Sequence, residues 1–195
     1  MPKNRTRPLP GIQEYSWQKR RDYLLLVAAV AASDGQLHPY ELNLLQRWIE
    51  QFRLPPRSRE LVLAAAQQGL TRLEPIERRL AGTDLVYSLI LDMMGMAMSD
   101  GILMDDEIEL LRDVSGHLDV DPVDFNILIE FVHSAHQASQ LDNPEPLYEH
   151  AILSAFDLLR ERKVELFAHT LLCSSSVEFD QMLKERWRIH KKPAA

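Results

Sequence analysis

Ala31-Ala32-Ser33-Asp34-Gly35-Gln36-Leu37, followed by Glu41, returns later in the chain as Ala97-Met98-Ser99-Asp100-Gly101-Ile102-Leu103, followed by Glu107. Both the aspartates and the glutamates stand 66 positions apart, and the register extends outward without a gap. Leu25, Leu44, Leu45 and Pro56 match the identical Leu91, Leu110, Leu111 and Pro122, while Phe52 and Leu54 meet the apolar Leu118 and Val120. Self-similarity at a fixed offset fixes architecture before any single motif does. It predicts that whatever the Asp-Gly and Glu positions do is done at two related places.

The segments around these corners read as helix. Leu24, Val27, Ala28 and Ala31 recur at helical spacing, as do Leu42, Leu45, Ile49 and Phe52, and no segment alternates in the way a half-buried strand requires. Asp34-Gly35, Pro55-Pro56, Gly69, Gly82-Thr83, Asp100-Gly101, Asp121-Pro122 and Asp142-Asn143-Pro144 punctuate the chain. The expected fold is all-α, a bundle of eight or nine helices on two tandem helix-turn-helix repeats. The helices fall near 16–33, 39–52, 57–68, 74–80, 84–99, 105–118, 122–140, 145–172 and 177–190. Residues 1–15 read as a disordered basic tail, 16–140 as the duplicated domain and 141–195 as a C-terminal helical extension. Helices 16–33 and 84–99 are apolar nearly all round towards their C-terminal ends, which places them in the interior. Met93, Met94, Met96 and Met98 then fill core gaps rather than bind a metal.

At 195 residues, 46% hydrophobic and 26% charged, the chain can bury a real core. Its one cysteine, Cys173, cannot form an internal disulfide, which points to a reducing compartment. With no apolar stretch of a signal peptide or span, the expected location is cytoplasmic. The net charge of −7 is unevenly spread. Between Asp92 and Glu130 stand eleven acids and one arginine, Arg112, whereas both ends are basic. An acidic middle repels nucleic acid and attracts cations or basic partners.

Asp-Gly-x-Leu-x-x-x-Glu has the spacing of the second half of an EF-hand loop. The first half fails, because Val30, Ala32, Met96 and Met98 stand where oxygen ligands are needed. A local reading covers most of the motif: Gly35 and Gly101 in the left-handed conformation that ends a helix, Leu37 and Leu103 folding back, and Pro39 opening the next helix. Glu41 and Glu107 then face a helix N-terminus. A cation site on Asp34, Glu41, Asp100 and Glu107 stays open beside it, and carboxylate oxygens favour Ca²⁺, Mg²⁺ or Mn²⁺.

The doubled Ala-x-Ser-Asp-Gly-x-Leu…Glu on helical hairpins resembles the TerB-like domain of tellurite-resistance proteins, also found in DjlA-type membrane co-chaperones, over about Arg20 to Gln140. The resemblance implies a non-enzymatic helical bundle associated with bacterial stress responses, with Asp34, Glu41, Asp100 and Glu107 as the acids proposed to chelate metal. His38 and Met104 stand where relatives often carry a capping serine.

Other constellations are thinner. Glu130-Phe131-Val132-His133 is a single Glu-x-x-His where a di-iron bundle needs two. His136, one turn beyond His133, makes Glu130, His133 and His136 a secondary metal candidate. His38-Pro39 lacks the aspartate of a J-domain motif, since Tyr40 follows. Cys173 has no glycine-rich elbow or activating base near it in sequence. Lys184, Arg186, Trp187 and Arg188 have the composition of a surface segment that touches an anionic membrane or a partner. The two function classes carried forward are a cation-binding stress adaptor and a metal-free adaptor for a protein or membrane surface.

Overall fold

The computed structural model describes residues 12–33, 35, 37–98, 103–139, 158 and 162. Among these it is all-helical, with seven α-helices and no strand: α1 (Trp17–Ala31), α2 (Pro39–Gln51), α3 (Pro56–Gln68), α4 (Glu74–Leu80), α5 (Val86–Ala97), α6 (Asp105–His117) and α7 (Pro122–Ser139). A 3-10 turn at Ile12–Glu14 precedes them, with Ile12 buried. Of the expected helices near 145–172 and 177–190, only Leu158 and Arg162 are among the described residues.

α1 is the axis. It is buried without interruption from Asp22 to Ala31 and packs against α2, α3, α4, α5 and α6. α5, buried at every position but Tyr87, packs against α1, α6 and α7. Ala28, Ala31, Gly95 and Ala97 keep these helices slim, and Met93, Met94 and Met96 are fully enclosed in the core. Such a pair can be apolar all round because the other helices wrap it. No helix among the described residues is long and apolar enough to cross a membrane.

The helix limits keep the register of the sequence. α1 and α5 end at Ala31 and Ala97, α2 and α6 run from Pro39 and Asp105 to Gln51 and His117, and α3 and α7 begin at Pro56 and Pro122. The turns that close α2 and α6 are built alike. Arg53 and Asp119 take left-handed backbone, φ 48° and 59°, and their N–H groups donate to Glu50 and Gly116. The next N–H groups, of Leu54 and Val120, reach back to Ile49 and Ser115. This is a Schellman turn, usually served by glycine, and its apolar follower is buried in both cases.

A non-glycine residue in left-handed backbone costs about 1–2 kcal/mol, and aspartate tolerates it better than arginine. Arg53→Gly should therefore raise stability by about 1 kcal/mol, and Asp119→Gly by less. Thermal unfolding of the two variants measures both the gain and its order.

Candidate functional site

The two corners that open α2 and α6 hold the sequence-predicted glutamates. Glu41 and Glu107 occupy the third position of their helices and are 7% and 8% exposed. Oε2 of each accepts a hydrogen bond from the backbone N–H three residues earlier, of His38 and of Met104, both at 2.9 Å. Each carboxylate thus satisfies an orphan donor at a helix start while facing the positive end of the helix dipole. Pro39 opens α2, and Leu37 and Leu103 pack on the core. Gly35 has φ 76°, the left-handed geometry its position demands. Asp34, Asp100 and Gly101 lie outside the described residues, so only the glutamate half of the four-acid set is placed.

Glu130, His133 and His136 share α7, Glu130 exposed and the two histidines half-buried. Among the described residues, no group of three or more histidines, cysteines, aspartates or glutamates is arranged to hold a metal ion. Lys184, Arg186, Trp187 and Arg188, like Cys173, lie outside the described residues.

Four buried acids make ionic and phenolic links that escaped the sequence reading. Asp22, 1% exposed, accepts from Arg21 at 2.7 Å and from Arg79 of α4 at 2.6 Å. Asp92 of α5 accepts from the Tyr23 hydroxyl of α1 at 2.5 Å, both groups deep in the core. Asp124, 3% exposed, accepts from Tyr87 at 2.9 Å and from Arg162, whose guanidinium also lies 3.0 Å from Asp121. Glu77, also buried, lies 3.1 Å from His117 Nδ1 and ties α4 to α6. The signal was present: an acid inside an otherwise apolar helix, such as Asp22 or Asp92, must find a partner because a bare buried carboxylate is too costly.

These links shift the phenols in one direction. Burial, then the adjacent Asp92, holds the Tyr23 hydroxyl well above its ordinary range. Burial, then the hydrogen bond to Asp124, pushes Tyr87 up to about 12. The hydrogen bond to Asp22 raises Arg79, and that to Asp124 raises Arg162. The pattern is that of charges and phenols used as internal fastenings.

Comparison with families of known proteins, with characterised proteins and with solved structures finds no match for this chain.

Two measurements probe the fastenings. Tyr23→Phe removes the donor to a buried carboxylate and should cost about 1–3 kcal/mol in chemical denaturation. The Tyr87 phenol is held neutral in the folded chain, so its contribution is complete below the ordinary tyrosine value and is lost as pH rises from about 10 to about 12. Tyr87→Phe should flatten the fall of stability across that window, read as denaturation midpoints against pH.

Proposed function

We propose that the chain is a non-enzymatic, TerB-like adaptor of the stress-response type, built as a tandem duplication of one helix-turn-helix corner and working through its exposed surface. The observation that carries this is the pair Glu41 and Glu107, buried at the same helical position and closing the same 2.9 Å hydrogen bond 66 positions apart. The helix limits and the two Schellman turns at the same offset support it. In this reading the glutamates are the architecture of the corners. Binding falls to what surrounds them, including the exposed apolar side chains of Tyr40 and Met104.

A second reading has Ca²⁺, Mg²⁺ or Mn²⁺ held at the corners. What suggests it is the run of exposed carboxylates Asp105, Asp106 and Glu109 at the start of α6, which by themselves form no metal-holding group. In that case Asp34 and Asp100 would supply further oxygens, and the glutamates would share theirs between a backbone N–H and the ion. One experiment separates the readings. The full chain, stripped with chelator, is melted with and without millimolar Ca²⁺ or Mn²⁺.

The adaptor reading expects the same melting temperature in both. The cation reading expects a rise, corresponding to about 2.7 kcal/mol of added stability when the ion is a hundredfold above its dissociation constant, and no rise in Asp34→Asn/Asp100→Asn. In the adaptor reading, Glu41→Ala should cost about 1–2 kcal/mol whether or not the ion is present, because it removes only a cap.

A further inference from the structure

The turns that close α2 and α6 share their backbone and oppose each other in charge. Arg47 and Asp113 occupy the same position, the ninth, of the two helices, and Arg53 and Asp119 are the two left-handed residues. Arg57 and Arg59 continue the basic turn into α3, while Asp121 continues the acidic turn into α7. All seven are exposed, and among the described residues no internal ion pair uses Arg47, Arg53, Arg57, Asp113 or Asp119. Each turn also shows water one large apolar side chain: Leu61, one helical turn after Arg57, and Val123 at the start of α7. What the acidic turn accepts is visible within the molecule, where Arg162 sits 3.0 Å from Asp121 and bonds Asp124.

We propose that the basic turn after α2 docks on the acidic turn after α6 of a second copy of this chain. Arg47 and Arg53 face Asp113 and Asp119, with Leu61 and Val123 inside the charged rim. A second copy is the occupant because every molecule carries both surfaces. Because both turns are cast on one backbone form, the two pairs stand at equivalent positions and can meet two against two. Charged rims of this kind set orientation and encounter rate as well as affinity. The contact joins unlike faces, so it is heterologous: each copy keeps one turn of each sign for the next. Neither a bound cation nor the TerB-like reading is needed for it.

The test is sedimentation velocity of the full chain in chelator, at ~0.02 M and ~0.5 M salt, where screening is weak and strong. The sedimentation coefficient should rise with protein concentration at low salt and stay at the monomer value at high salt. Arg47→Glu/Arg53→Glu and Asp113→Lys/Asp119→Lys should each weaken self-association by at least about tenfold. Mixed in equal amounts they should form a one-to-one complex, since one keeps the acidic turn and the other the basic. Helical content by circular dichroism checks that each is folded, and Arg47→Gln/Arg53→Gln replaces a charge-reversed variant that is not. A wild-type chain that stays monomeric at low salt overturns the proposal. So do folded variants that associate like the wild type, or a mixture that forms no complex.

Discussion

Everything in this bundle is arranged around a helix whose last ten residues water barely reaches. The ten residues from Asp22 to Ala31 are enclosed on all sides, so any polar atom they carry must be satisfied by protein. Two of them carry such atoms. Asp22 is answered by arginines from its own helix and from α4, and Tyr23 donates to Asp92 on α5. The bonds are directional where hydrophobic contact is not, so they fix how α4 and α5 sit against the axis. An apolar helix pair could slide or rotate at modest cost; one with a buried phenol–carboxylate bond loses that bond when it does.

The same economy runs outward. Arg20, at the edge of α1, donates to the carbonyl of Phe52 at 2.5 Å and to Gln13 at 2.9 Å. It thereby satisfies an orphan carbonyl at the C-terminal end of α2, where the helix dipole favours a cation. Arg59 bonds the Leu54 carbonyl at 2.7 Å just beyond it. The hairpin between α2 and α3 is therefore clamped from both sides. Its exposed arginines, Arg47, Arg53 and Arg57, are left to face solvent.

Much of the fold could be read from residue order. Helical periodicity and the Gly and Pro breaks place all seven described helices, with ends that fray by one or two residues, as at Ala31 and Ala97. The corner glutamates were legible because a carboxylate three residues into a helix has a simple electrostatic reason to be there. The long-range fastenings were not. That Asp22 would meet Arg79, or Asp124 would meet Tyr87 and Arg162, depends on how helices far apart in sequence pack, and no short spacing encodes it. Charge counting gave the acidic middle correctly but could not divide it into buried acids such as Asp92, Glu107 and Asp124 and exposed ones such as Asp105, Asp113 and Asp119. That division decides chemistry. A buried acid that already accepts a hydrogen bond is a poor ligand, whereas an exposed one is cheap to recruit.

The division also explains how one backbone turn can serve two purposes. In both hairpins the interior positions stay apolar, with Leu54 and Val120 enclosed and Phe52 and Leu118 beneath them. Packing constrains those positions because a cavity or an overlap there is felt at once. The outward positions 47, 53 and 57, and 113, 119 and 123, carry no such constraint, and there the charges diverge from arginine to aspartate or valine. A turn whose shape is set from inside leaves its outer face open to carry any charge. Two such turns of opposite sign on one molecule are a consequence of the freedom that packing leaves at the surface.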